Sequence, residues 1–153
     1  MPELRDTPYS VFNYLINLGD GTETEVQGGF SEVSGLNAEV TVAEYRTGNT
    51  PVNYVTKIPG MHKSGDVTLK RGVIGAENLY NWLEQVRSGD VAAKRDVEVK
   101  LKNEDPTSQS AVVTWRLHGA MPIKWTGPTL NAKGGTDVAM EEIVLAVEYI
   151  EQS

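Results

Sequence analysis

The residues of this chain best suited to proton transfer or metal binding are His62 and His118, and neither lies in an HxH or HExxH spacing. A triad or a metal site would need partners that their surroundings do not point to, so each reads as an ordinary surface or rim histidine. Glu141 and Glu142 suggest an acid/base pair. They lie in a strand-like run, however, where adjacent side chains point to opposite faces, so the two carboxylates cannot flank one substrate atom. The pairs Gly28-Gly29 and Gly134-Gly135 lack the Lys-Ser/Thr of a phosphate loop and the strand-turn-helix setting of a dinucleotide fingerprint, and they read as bulge and turn. Lys70-Arg71 offers two cations at a strand end, a placement that fits pairing with local acids better than phosphate binding. The chain has no cysteine, which excludes disulfides and thiolate metal sites. No catalytic, cofactor or metal site emerges, and the chain is not expected to be an enzyme.

The elements that would carry these residues are mostly strands, arranged around one helix expected from about Ala76 to Ser88. Leu79, Trp82, Leu83 and Val86 recur at helical spacing on one face, while Glu77, Asn78, Asn81, Glu84 and Gln85 stay on the wet side. Glu77 and Arg87 have the signs the helix dipole favours, and Gly89 is a natural stop. A helix of about three turns is marginal alone, so its apolar stripe should cap a sheet.

The strands are read from alternation. Tyr9 to Leu18 forms the first, and the Gly19-Asp20-Gly21-Thr22 turn predicts that Glu23 to Val33 returns beside it as a hairpin. Asn37 to Arg46 is a third strand, and Val67 to Arg71 precedes the helix. Val97, Val99 and Leu101 alternate with Glu98, Lys100 and Lys102 as a half-exposed strand, and Ala111 to His118 pairs with it through a polar turn. Ala120 to Pro128 reads as a broken strand, and Val138 to Tyr149 as a long one central in the sheet. Seven or so strands with one inserted helix predict a mainly β chain, an antiparallel β-sandwich or barrel.

Between Thr47 and Ser64 the alternation is lost, and Gly48, Pro51, Pro59 and Gly60 punctuate a segment near the upper length for a structureless loop. Val52, Tyr54, Val55, Ile58 and Met61 make it too apolar for a solvated loop. It would form a short hairpin or a surface that another chain covers, mobile alone and ordered in the assembly. These five residues are the candidate subunit-interface residues.

With 153 residues the chain fits one domain, 1–153, large enough for a core without staples. No run approaches the roughly 18 apolar residues of a membrane span, and the N-terminus has no apolar signal sequence, so a soluble product that is not Sec-exported is expected. Fourteen Lys plus Arg against 21 Asp plus Glu give a net charge of -7, which disfavours an outer surface that grips nucleic acid.

Read together, Phe30-Ser-Glu-Val-Ser-Gly-Leu36, Glu44-Tyr-Arg-Thr-Gly48 and Leu69-Lys-Arg-Gly-Val73 with Leu79 and Trp82 resemble the tail tube protein of contractile phages. In the C-terminal half, Pro122-Ile-Lys-Trp-Thr-Gly-Pro128, Leu130-Asn-Ala132 and Val138-Ala-Met-Glu-Glu-Ile-Val-Leu-Ala146 are similar to that family's ending, so the resemblance covers nearly the whole chain. It implies a β-sandwich subunit that forms hexameric rings stacked into a tube within a contractile sheath, as in phages, R-type bacteriocins and extracellular injection systems. Type VI secretion tubes are more distant relatives. The implied partners are further copies of the chain, the sheath protein, baseplate and tube-terminating proteins, and DNA or protein cargo in the lumen. The implied setting is assembly in the bacterial cytoplasm into a virion tail or extracellular particle. The alternative from a different class is a monomeric β-barrel carrier of a small ligand, with the 47–64 segment as its lid.

Overall fold

Alternation of apolar and polar side chains places most strands where the sequence predicts them, and the computed structural model shows how they pair. It describes residues 7–9, 13–18, 30–49, 51–73, 75, 77–90, 93–104, 111–135 and 138–153. The strands are β1 (Tyr14–Asn17), β2 (Glu32–Ser34), β3 (Glu39–Tyr45), β4 (Thr56–Lys63), β5 (Val67–Gly72), β6 (Arg95–Lys102), β7 (Ala111–Thr126), β8 (Met140–Ala146) and β9 (Tyr149–Gln152). The helix is α1 (Asn78–Arg87). All pairings are antiparallel. The main sheet runs β1-β6-β7-β8-β5-β2, with β9 also on β7, and among the described residues β3 pairs only with β4.

The long strand β7 joins the two halves of the sheet. Its first part lies between β6 and β9, and its last part pairs with β8. The change falls at Gly119, whose φ of 64° is a left-handed conformation that a residue with a Cβ adopts only at a cost. On the neighbouring strand the same bend separates β8 from β9, and Glu148 N–H donates to the His118 carbonyl there. Ile16, Val97, Val99 and Leu117 from one half and Val67, Leu69, Ile143 and Leu145 from the other share one buried cluster. That common core makes the fold sandwich-like. Among the described residues the sheet is not a closed barrel, because β1 and β2 are its end strands.

Helix α1 packs along β7. Leu79 and Trp82 are fully buried, and Leu83 and Val86 half-buried, so the predicted stripe does face the core. The Trp82 indole N–H donates to the Ala93 carbonyl at 2.6 Å, and the Arg95 guanidinium lies 4.8 Å above its ring. Tyr80, beside the stripe, meets Trp125 edge-on at 5.3 Å. Just beyond the helix end, Gly89 takes φ 83°, and its N–H reaches back to the Val86 carbonyl.

Several expectations are corrected. The segment from Thr47 to Ser64 is irregular only in part: residues 56–63 form β4 on β3, the hairpin that is one of its two expected forms, while 47–49 and 51–55 lie outside the strands. The described end of the predicted return strand, β2, pairs with β5 and not with β1, which pairs with β6. The 19–22 turn, Gly28-Gly29 and Ala76 lie outside the described residues. The broken strand at 120–128 is instead continuous with the strand before it, because Gly119 bends β7 without ending it. The long final strand divides at Val147-Glu148 into β8, between β7 and β5, and β9, which runs on to Gln152.

Across the sandwich, Tyr14 of β1 keeps its hydroxyl buried without a hydrogen-bond partner among the described residues. Burial, and secondarily the Glu32 carboxylate of β2, pushes the Tyr14 phenol above its ordinary value. The folded chain therefore retains a proton that the unfolded chain releases near pH ~10. The resulting stability is present below that point and is lost as pH rises through the folded value. Denaturation midpoints taken on either side of that pH should fall more for the parent than for Tyr14→Phe, and equal falls would contradict the assignment.

Candidate assembly surface

In the main sheet β1, β5, β6, β7 and β8 carry buried side chains, and β2 and β9 pack the half-buried Val33 and Ile150 against the core. The β3–β4 hairpin buries neither face, and every residue of both strands is exposed. It stands off the body as an arm, and its pleat puts alternate residues on opposite sides. One side carries Val40, Val42, Lys57 and Pro59, which line a shallow depression of about 320 Å3. The other carries Ala43 opposite Ile58, with Tyr45 further along. Isolated two-stranded ribbons are marginal in water, and one apolar on both sides calls for cover on both.

All five candidate interface residues lie on this arm. Val52, Tyr54 and Val55 occupy the turn region before β4, and Ile58 and Met61 lie on β4 itself. All five are exposed, Met61 at 80%. The Val52 carbonyl accepts from Tyr54 N–H at 2.9 Å, and Arg46 donates to Asn53 Oδ1 at 3.2 Å, which shapes the turn. Sequence reasoning missed Val40, Val42 and Tyr45 of β3, which are comparably exposed. Their alternation marked a strand, and alternation alone does not say whether either face has a core to meet.

The chemical candidates are taken up by pairing. Arg71 and Glu141 face each other in the β5–β8 register, and Arg71 Nε donates to Glu141 Oε1 at 2.6 Å. Both are buried, with the Phe30 ring 5.5 Å from the guanidinium, while Arg71 Nη2 donates to Asn78 Oδ1 and so ties α1 to the sheet. On the opposite face Lys70 lies between Glu32 at 3.8 Å and Glu142 at 3.9 Å. The two glutamates thus point to opposite faces, as their adjacency in a strand predicts. His118 has Glu151 at 3.0 Å from Nε2 and Asp96 at 3.7 Å from Nδ1, and it stacks on Tyr149. With both ring nitrogens facing carboxylates, neither is placed to take a proton from a hydroxyl nucleophile. His62 lies on the arm opposite Val40. Among the described residues no cluster of His, Asp and Glu is arranged to hold a metal ion.

Among the described residues, the space between the sheet halves holds the side chains of the core. An open groove of about 860 Å3 lies outside it, lined by Glu32, Lys70, Glu142 and residues of the 127–138 loop. Among the described residues no helix is long and apolar enough to cross a membrane.

The profile of the T4-like virus tail tube protein gp19 family matches residues 10–151. No curated protein matches. A cryo-EM structure of an extracellular contractile injection system, the PVC sheath-tube complex in its extended state, contains a chain 28% identical to this one. The two superpose with a TM-score of 0.80 over 97% of this chain and 93% of that one. A chain of the anti-feeding prophage tube-terminating cap is 25% identical, also with a TM-score of 0.80, over 100% of this chain and 95% of that one. Hcp1 from Flavobacterium johnsoniae, 13% identical with a TM-score of 0.53 over 92% and 94%, shares the fold.

Proposed function

From the premise that this chain belongs to the T4-like virus tail tube protein family, we propose that it is one tube domain, 1–153, whose copies close into hexameric rings. The rings stack into the inner tube of a contractile tail or injection particle. The family match over residues 10–151 carries this reading. The arm supports it, because an apolar hairpin with no core of its own is what a subunit covered by other copies should present. Among the described residues β1 and β2 end the sheet without a second strand beside them, which supports it as well, since sheet edges are covered when subunits close a ring. Val52, Tyr54, Val55, Ile58 and Met61, with Val40, Val42 and Tyr45, form the inter-subunit surface.

The partners follow from the same reading. They are a surrounding sheath, the baseplate at one end, a terminator at the other, and DNA or protein cargo in the lumen, with assembly in the bacterial cytoplasm. The chain acts as a wall and a conduit and takes no catalytic role. Negative-stain microscopy of the purified chain tests the reading: rings or tubes are expected, and a chain that stays monomeric at every concentration would sink it.

The lumen should be negative or weakly mixed in charge, in keeping with a net charge of -7 per chain. Such a wall repels phosphates, so cargo slides without sticking. Assembled tubes should accordingly show no tight binding of DNA, and binding that weakens steeply with salt would contradict the prediction.

A further inference from the structure

The arm leaves the body at a joint whose geometry is unusual. Ser34 of β2 faces Thr68 of β5, and Glu39 of β3 faces Lys63 of β4, so each leg advances five residues between the two pairs. The body ladder and the arm ladder are therefore in step, although residues 35–38 and 64–66 between them are not strand. Two close approaches fill the gap. Gly35 has φ 88°, and a Cβ there would lie 2.2 Å from the Asp66 carbonyl oxygen, a backbone atom that cannot move aside alone. Opposite, Gly65 N–H donates to Asn37 Oδ1 at 2.6 Å, and a Cβ on Gly65 would meet that amide at 2.7 Å.

We infer that Gly35, Asn37 and Gly65 form a clasp that fixes the direction of the arm before assembly, so that the arm is presented already formed and not ordered by its neighbour. The Asn37 side chain stands in for a backbone carbonyl of the ladder and holds the legs together where the strand pairing lapses. The two glycines permit an approach that side chains would prevent. A fixed arm also loses less conformational freedom when another copy covers it, which favours assembly without any added contact. These three are positioning residues, and the inference rests on the tube reading only for what the arm meets.

The chain has no cysteine, so spin labels can be placed at will. Gly48, near the arm's tip and with open space around it, and the exposed Asn81 on α1 are suitable as Gly48→Cys and Asn81→Cys. The intrachain distance between the labels is measured in dilute, unassembled chain and in tubes made mostly of unlabelled chain. A narrow distribution, the same in both, is expected; a broad one that sharpens only in tubes would overturn the inference. Asn37→Ala should broaden the distribution and lose tubes while the melting curve stays in place, and Asn37→Asp, which keeps an acceptor oxygen, should restore both. An unchanged distribution in Asn37→Ala overturns the clasp, as does failure of Asn37→Asp to restore it. A narrow parental distribution in a chain that never forms rings would instead sink the tube reading and leave the clasp standing.

Discussion

Trp82→Ala is expected to destabilise the subunit by roughly 3 to 5 kcal/mol, the range for removing a large aromatic side chain from a packed core. Trp82 is only 1% exposed, stacked beneath Arg95 and bonded through its indole N–H to the Ala93 carbonyl. Three losses therefore coincide: apolar burial, the aromatic face under a cation, and the donor to a carbonyl with little other access to water. For a chain of this size the loss translates into a fall of about 6 to 20 °C in melting temperature. Trp82→Phe separates the terms, because it keeps most of the ring and drops the donor, and it should fall between parent and Trp82→Ala. A Trp82→Ala melting curve that overlays the parent's would show that the helix does not depend on this stripe.

Joint replacement of Tyr54 and Ile58 by Ser is expected to have the opposite signature, abolishing rings and tubes while leaving the isolated subunit intact. Both side chains are exposed, at 60% and 47%, so neither contributes to the core. Surface changes of this kind usually stay within about 0.5 kcal/mol of neutral, and the loss of a β-branched residue from a strand adds at most about 1 kcal/mol. In an interface of about 800 Å² per partner, by contrast, a buried aromatic is among the residues that dominate affinity. Sedimentation and negative stain should report only small species, with an unchanged far-UV spectrum. Tubes of normal length and yield would remove these two residues from the interface.

The helix and the body strands were legible because they alternate against a core that exists. Leu79 and Trp82 fall where the 3.6-residue period puts them, and Val97 and Val99 where the period of two does. What periodicity does not encode is the choice of partner. The Gly19–Thr22 turn signal suggests a local hairpin for β1, yet β1 takes β6, far along the chain. Breakers misled in two places. Ala120 to Pro128 reads as a broken strand, but Gly119 just before it supplies the bend of β7, and Pro122 within it lies where the register against β8 shifts. On the arm, Pro59 lies beside the bulge, and at Gly60 the strands approach so closely that a Cβ would come within 2.6 Å of Thr41 Oγ1 and 3.1 Å of the Thr41 carbonyl oxygen. The residues that look like loop are thus the ones that let the hairpin form. The interface candidates on β4 were recognised by being too apolar for a loop, while Val40 and Val42 passed as ordinary strand residues.

The pairing of β1 with β6, and of β5 with β8, also sets an order in time. Tyr14 meets Leu101 and Val67 meets Leu145, so the N-terminal half of the sheet waits for partners made much later. Such non-local contacts pay loop-closure entropy before they are rewarded, which slows folding. The arm is different, since β3 and β4 are neighbours in sequence and need no later segment as their pairing partner. At a ribosomal rate of about 5 to 20 residues per second, roughly 5 to 15 s separate the synthesis of β4 from that of β8. During that interval the nascent chain exposes its adhesive hairpin while the sheet that will carry it is unfinished. Neighbouring ribosomes on one message would bring such hairpins close together, so the hazard of premature contact is greatest on the polysome, before any ring can close.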